Sequence, residues 1–396
     1  MDNDMNKKKI VFINNNLKSG GVARSLVNLI CQIGDDYEVT LILFKKTGAY
    51  LAELPANIKV IETDSLFRYL GISQKEAKAA GLLESCFRAV CVLLTKLFGF
   101  KAIVKLLLLS GKKISGYDYA VSFLHSASPK TFYGGCNEYV LKKIGAKQKV
   151  GFIHCDCVKA ENGSKYNQQV YSQFDKIVTV SIGCMRRFLE VFPDFPEKIY
   201  YVRNCNNFNE ILNKANDKII KYDNQYFNIL TVGRLSSEKG IERAINAIAD
   251  YVLKGNSIRY HLVGDGPERG RLEELVCEKD IGEHVFFYGN QDNPYRFMKN
   301  ANLFLLPSYH EAAPMVIDEA EFLGLPILAT ETTSTKEMIE DCNAGWVCEN
   351  SDDGIMTKLK FILEHKQVLQ AVRKSLADKS FDNKKALEQF KRMLEG

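Results

Sequence analysis

Short apolar runs alternate with amphipathic stretches along this chain, in two separate series. In the first, runs at residues 9–13, 39–44, 58–62, 119–124, 149–153, 177–181 and 199–202 have the length of buried strands. After the first run, Val22, Leu26, Leu29, Ile30 and Ile33 keep helical spacing, predicting a helix entered through the polar residues 14–21. The Asn- and Lys-rich stretch 204–224 reads as a linker, and a second series then begins. It predicts strands over 228–232, 260–263 and 285–288 and helices over 241–252, 271–279 and 295–300. Such alternation predicts an α/β protein: two Rossmann-like, doubly wound domains with parallel sheets, facing each other across a cleft, with ligands at the carboxyl ends of the strands. The expected bounds are 1–205 for the first domain, 206–225 for the linker and 226–376 for the second domain.

The most informative turn follows residues 303–306, an apolar run read as a strand. Residues 307–314 form a loop, and 315–323 a helix stopped by Gly324 and Pro326. Pro314 suits the first helical position. Ala312 and Ala313 precede it, so no Ser, Thr, Asp or Asn side chain stands ready to cap the free amides. An uncapped helix start between small residues can receive a phosphate on its backbone amides. Glu319 lies near the second turn and can accept hydrogen bonds from sugar or ribose hydroxyls, while Glu311 stands in the loop eight residues before it. The alternative, that both glutamates are surface charges, is the usual one for a Glu pair, and the surrounding turn weighs against it here.

Composition narrows the class. The 396 residues suffice for two or three domains, and 46% hydrophobic content is that of a globular chain. Eleven cysteines without paired Cys-x-x-Cys spacing, behind a polar, Lys-rich start, read as reduced thiols of a cytosolic protein rather than a disulfide scaffold. The net charge of +5 conceals an asymmetry: residues 1–225 carry 32 Lys and Arg against 21 Asp and Glu, whereas 226–396 carry 21 against 27. A basic first half suggests an anionic partner for it.

One segment departs from the soluble pattern. Residues 82–109 hold long apolar runs interrupted by Lys96, Gly99, Lys101 and Lys105, too many charges for a helix crossing a bilayer. Lys101, Lys105 and Lys112 fall on one strip at helical spacing, which suits a helix lying on an anionic membrane. A buried helical hairpin in the first domain is the alternative, and the basic half-charge favours the membrane.

Other strand-end loops carry candidate chemistry. Gly233 to Gly240 opens a helix and offers Arg234 and Lys239 to one anion, a bidentate fork beside a mobile point charge; an exposed salt-bridging loop would look the same. Gly264-Asp265-Gly266-Pro267 is a second turn. It does not complete a Gly-x-Gly-x-x-Gly fingerprint, because the next glycine is Gly270. Gly20 and Gly21 precede the first helix and would let a phosphate approach the backbone. His154 follows a strand and can donate to a sugar hydroxyl or phosphate oxygen, with Asp156 to orient it or bind an acceptor, or it is a structural histidine. His154-Cys155-Asp156-Cys157 is too compressed for a closed zinc site, and Asp2-Asn3-Asp4 lies in a terminal tail, so no metal is expected.

Gly233-Arg234 with Lys239-Gly240, Gly264-Asp265-Gly266-Pro267, and Glu311-x7-Glu319 within Pro-Ser-x-x-Glu-Ala-Ala-Pro, followed by Gly324-Leu325-Pro326, resemble the family 4 retaining glycosyltransferases of the GT-B fold. The second series matches almost end to end; the first matches loosely, through Gly20-Gly21 and the strand order. Ala312 stands where the family often has glycine. The resemblance implies that Arg234 and Lys239 hold the donor diphosphate and that Glu319 binds the ribose. It also implies that Glu311 contacts the donor sugar, aided by the amides around Ala313, Pro314, Met315 and Val316. Gly21 would complete the phosphate site from across the cleft, His154 would touch the transferred sugar, and Gly20, Gly233, Gly264, Asp265, Gly266 and Asn290 would line the donor, with the base met around 289–291. The C-terminal stretch 377–396 would pack as a helix on the first domain and allow hinge closure, which would exclude water. The implied activity is transfer of a hexose or N-acetylhexosamine from a UDP-sugar to a glycan or polyprenyl-lipid-linked acceptor in surface polysaccharide synthesis. The nucleotide sugar is then a substrate, and no cofactor or nucleic acid is expected. The expected location is cytoplasmic, peripheral on the inner face of the cell membrane. A nucleotide-sugar epimerase or a non-catalytic partner subunit of the same fold would share several of these residues.

Overall fold

The computed structural model describes residues 7–18 and 20–396, so Asp2-Asn3-Asp4 lies outside the described residues. The chain divides into two compact units: residues up to Cys205 with Asn383–Gly396, and Asn206–Asp382. In the first unit seven strands form one sheet: β1 (Lys9–Asn14), β2 (Glu38–Leu43), β3 (Lys59–Glu62), β4 (Ile114–Ser122), β5 (Ile144–Ile153), β6 (Lys176–Thr179) and β7 (Ile199–Tyr201). Their order is β3-β2-β1-β4-β5-β6-β7, and all pairs are parallel. The chain therefore reverses direction across the sheet between β1 and β4, the kind of switch point beside which ligands bind in open α/β sheets.

Helices cover both faces, so successive strand residues enter different cores. Val11 and Ile13 of β1 join one cluster with Tyr139 and Phe188, while Ile10 and Phe12 join the other with Leu26 and Ile30. The second cluster also receives Ala386, Phe390, Met393 and Leu394 from the last helix, Lys384–Glu395. The buried Lys176 ammonium donates to the carbonyls of Met393 (2.5 Å) and Leu394 (3.1 Å), which have no further helical partner at that end. Leaving that end of the chain without its cation would expose carbonyls to an apolar core.

The second unit carries β8 (Phe227–Val232), β9 (Ile258–Val263), β10 (Val285–Phe287), β11 (Leu303–Leu306), β12 (Ile327–Thr330) and β13 (Gly345–Cys348), in the parallel order β10-β9-β8-β11-β12-β13. The periodicity reading identified β8 to β11 but not β12 and β13, whose four-residue runs are flanked by glycine and polar residues. The stretch read as a linker contains the helix Phe208–Asn216, with Ile211 and Ala215 buried in the second unit. β4 begins at Ile114, earlier than the apolar run at 119–124, because a register irregularity between Ser115 and Tyr117, beside Gly116 at φ 99°, lets polar residues pair with β5.

Residues 82–109 form two helices, Leu82–Phe98 and Phe100–Leu107, broken at Gly99 (φ 81°). The second ends at Leu107, so Lys112 does not extend the strip expected of Lys101 and Lys105. Cys91, Phe100, Ile103, Val104 and Leu107 are buried in the cluster that holds Phe67 and Tyr139, Thr95 is buried as well, and the opposite face is open. The hairpin is therefore half buried rather than wholly buried. Among the described residues, no helix is long and apolar enough to cross a membrane.

Candidate functional site

The second unit places its candidate residues at the carboxyl ends of adjacent strands. Gly233, Arg234 and Lys239 follow β8, Gly264, Asp265 and Gly266 follow β9, Asn290 follows β10, and Glu311 to Glu319 follow β11. Glycine geometry brings these loops together. Gly264 has φ 140°, donates its amide to the Gly289 carbonyl (2.8 Å), and a Cβ there would lie 1.9 Å from the Gly233 carbonyl oxygen. Gly266 is pressed against Leu235 in the same way, and Gly240, in the left-handed region at φ 58°, against the Pro307 carbonyl. Leu235 donates to Asp265 and Glu268 to Leu235, both at 3.0 Å, so the β8 and β9 loops are tied to each other. Asp265 also caps the Gly266 amide (2.7 Å) and pairs with Arg269 (3.5 Å).

Two residues named separately from the sequence meet directly. Lys239 Nζ donates to Glu311 Oε1 at 2.5 Å, and the fully buried Ser308 donates to the same oxygen at 2.8 Å. Ser308 is fixed in turn: its carbonyl accepts from Thr330 Oγ1 (2.5 Å). Asn350 braces the same turn through the carbonyls of Tyr309 (3.1 Å) and Glu331 (2.9 Å). Arg243, 2% exposed, holds Asn350 and Asp352 at 2.8 Å and lies under the Tyr309 ring at 4.4 Å. Sequence reasoning missed Ser308, Arg243 and Asn350. The one available signal was an arginine set among Ile241, Ala244, Ile245 and Ile248 on a buried helix face.

The Arg234 side chain is exposed and makes no hydrogen bond or ion pair among the described residues, while its carbonyl accepts the Ser236 amide (3.0 Å). Glu238 sits between the two cations: burial opposes its ionisation, but the Ser236 hydroxyl at 2.5 Å and the charges of Lys239 and Arg234 leave its carboxyl below the usual range. The helix Met315–Phe322 starts at the expected residue, but Pro314, with extended ψ (116°), occupies the cap position rather than the first helical position. No side chain caps it, and the Met315 and Val316 amides have no partner among the described residues. Glu319 accepts from Tyr295 at 3.3 Å. The result is a guanidinium, an ammonium held by a carboxylate, and open amides along the edge formed by the β8 and β11 loops.

In the first unit, Gly20 and Gly21 follow β1, and His154 and Asp156 follow β5. Gly20 has φ 98° and starts the helix Gly21–Ile33, again without a side-chain cap. Asp156 Oδ1 accepts the Val158 (2.9 Å) and Lys159 (3.1 Å) amides, and Arg187 pairs with its other oxygen at 3.2 Å. That carboxylate therefore shapes its own turn. His154 lies against Phe123 at 4.7 Å and Phe152 at 5.7 Å. A second histidine, His125, follows β4 and was missed, although it stands directly after the apolar run 119–124 as His154 does after 149–153. Both rings present a sealed nitrogen without a partner among the described residues, Nε2 of His154 and Nδ1 of His125.

Burial holds both imidazoles neutral, lowering His125 to about 4 and His154 to about 3, the latter also through repulsion from His125. An unfolded histidine titrates near 6.5. Between these values the unfolded chain binds more protons than the native one, so stability is undiminished above the unfolded pKa and falls as pH drops below it. Thermal denaturation between about pH 7 and about pH 5 should show this slope, and His154→Asn should flatten it; an unchanged slope would refute the assignment.

Residues 213–378 match the model of the glycosyl transferases group 1 family. A glycosyltransferase of Haemophilus influenzae is 29% identical over 224 residues, covering 56% of this chain and 61% of that protein. The amylovoran biosynthesis glycosyltransferase AmsK of Erwinia amylovora is 30% identical over 147 residues, 35% of this chain and 36% of that protein. Each alignment spans less than two thirds of the relative's length. The crystal structure of HepE from Anabaena in complex with UDP superimposes with a TM-score of 0.67 over 98% of this chain and 99% of that one, at 17% identity. The second unit therefore carries a region that matches the group 1 glycosyl transferases, and the chain as a whole has the GT-B fold.

Proposed function

We propose that the protein is a retaining transferase that moves a hexose or N-acetylhexosamine from a UDP-sugar to a glycan or lipid-linked acceptor in surface polysaccharide synthesis, working at the membrane surface. The observation that carries this reading is the strand-end constellation of Arg234, Lys239 with Glu311, and the open Met315 and Val316 amides. Breaking an anomeric C–O bond builds negative charge on the departing diphosphate, and two cations beside unpaired amides suit that charge. Glu319, with one oxygen on Tyr295, suits ribose hydroxyls, and Glu311 suits the donor sugar. His154 is held neutral and can donate or accept at a sugar hydroxyl. The departing phosphate can itself take the acceptor's proton, so no dedicated base is required. AmsK, named for amylovoran biosynthesis, supports a polysaccharide acceptor.

The decisive experiment is a thermal-shift panel of UDP-, GDP- and ADP-sugars. A ligand at 100 times its dissociation constant adds about 2.7 kcal/mol of stability, a shift of several degrees. A UDP-sugar should give the largest shift, and transfer to a glycan acceptor should keep the anomeric configuration. Silence from every nucleotide sugar would overturn the reading. Isomerisation of donor incubated alone would instead identify an epimerase.

A further inference from the structure

The helix Leu82–Phe98 turns its apolar side outward. Leu83, Cys86, Val90, Leu93 and Leu97 recur at helical spacing on one strip, and all are exposed: Leu83 by 86%, Leu97 by 63%. Phe98 (69%), at the turn of the hairpin, and Leu109 (83%), after its second helix, are exposed as well. A helix on a globular surface normally buries such a strip, and contiguous exposed apolar area marks a surface with a partner. The hairpin does not lack attachment. Its other face is buried through Cys91, Thr95, Phe100 and Ile103; Arg88 Nε donates to the Ile72 carbonyl (2.9 Å), and Tyr69 and Phe87 pack at 4.5 Å. The chain thus presents the outer strip on a fixed frame.

Charge identifies the partner. Residues 85–113 contain six Lys and Arg and no Asp or Glu. Lys96, Lys101, Lys105, Lys112 and Lys113 are all exposed. The nearest carboxylate before this stretch, Glu84, is paired with Arg68 at 2.9 Å. A second copy of this chain would bring two lysine rims of like sign together, whereas an anionic bilayer satisfies both features at once: apolar side chains enter the acyl boundary and the ammonium groups meet the headgroups. We infer that the outer face of this hairpin is a docking surface for an anionic lipid bilayer. This specifies the membrane location in the proposed function and rests on that reading only for the acceptor it would serve. The Phe100 amide donates to the Pro129 carbonyl (2.7 Å), tying the hairpin to the segment after β4 that carries His125. A lipid-linked acceptor held at this surface would lie beside that strand-end segment.

The test uses the full chain and vesicles of phosphatidylcholine with or without phosphatidylglycerol. Cys86 and Cys277 are the two exposed cysteines among the described residues, which allows site-specific labelling. An environment-sensitive fluorophore on Cys86, in a Cys277→Ser background, should shift to the blue with anionic vesicles, and the same fluorophore on Cys277, in a Cys86→Ser background, should not. In co-sedimentation, the triple variant Lys96→Gln, Lys101→Gln, Lys105→Gln should lose roughly 100-fold in affinity for anionic vesicles, and added salt should weaken wild-type binding. Leu83→Ser, Leu93→Ser and Leu97→Ser combined should abolish binding to either vesicle while leaving the melting temperature and UDP affinity at wild-type values. Wild-type vesicle binding that survives both triple variants would overturn the docking face but not a membrane location. A wild-type chain that ignores all vesicles, or that dimerises through this strip, would overturn the inference outright. UDP affinity, measured without lipid, tests the transferase reading separately.

Discussion

Lys239→Ala is expected to lower sugar transfer by at least about 100-fold, the scale on which removal of one preorganised charge-stabilising group acts. The ammonium is held within 2.5 Å of Glu311, and Ser308, which shares that oxygen, is itself fixed by Thr330. Its position is therefore set before any diphosphate arrives, and no reorganisation is needed as charge develops. Arg234 differs. Its guanidinium is exposed and unpaired among the described residues, so Arg234→Ala should raise the dissociation constant for UDP with no loss of stability. In Lys239→Ala, Glu311 keeps the Ser308 hydrogen bond, and its remaining exposure lets water meet the charge, so the fold should survive. Steady-state transfer, UDP calorimetry and melting on the same samples separate these effects. Unchanged turnover in Lys239→Ala would remove the electrostatic account and favour a non-catalytic protein.

Gly264→Ala should be the most destabilising single methyl addition at the candidate site, costing roughly 4 kcal/mol or more. Two independent penalties coincide: φ 140° is a backbone conformation L side chains rarely adopt, and the new Cβ would sit 1.9 Å from the Gly233 carbonyl oxygen. The obstructing atom is backbone at the end of β8, so relief requires separating the two loops that carry the candidate donor groups. Gly282→Ala is the control: no atom lies within 4 Å of its added Cβ, and the change should stay within about 0.5 kcal/mol. Denaturation followed by Trp346 fluorescence is suited to the comparison, because the chain's single tryptophan lies in β13 of the same unit. Equal midpoints for the two variants would show that the β8–β9 contact does not constrain the fold.

Much of the molecule was legible in the chain because its information is local. Parallel strands buried on both faces leave continuous apolar runs, and β8 to β11 were read from those runs with small errors at their ends. The uncapped helix start at Pro314 was likewise evident from Ala312 and Ala313, though the proline's exact station was not, since it depends on ψ rather than on residue type. Glycines carried a different kind of signal. Gly264 and Gly266 were read as ligand-side residues, and the structure gives them a structural duty as well, the close approach of the β8 loop.

What the sequence by itself determined is the class of fold, its two series of strands and the cluster of chemistry at the strand ends, since periodicity and turn composition act over a few residues. Tertiary structure alone decided which of those groups touch. Lys239 and Glu311 lie 72 residues apart, and Arg243 reaches Asp352 across 109. No local pattern encodes a pairing between separate strand ends; it follows from the sheet order that sets β8 beside β11. The same holds for the hairpin. Its sequence offered a buried and a membrane-facing reading, and packing gave one side to each, burying Phe100 and Ile103 while leaving Leu83 and Leu97 outside. A helix has two faces, and only the neighbours it folds against determine which of them is covered.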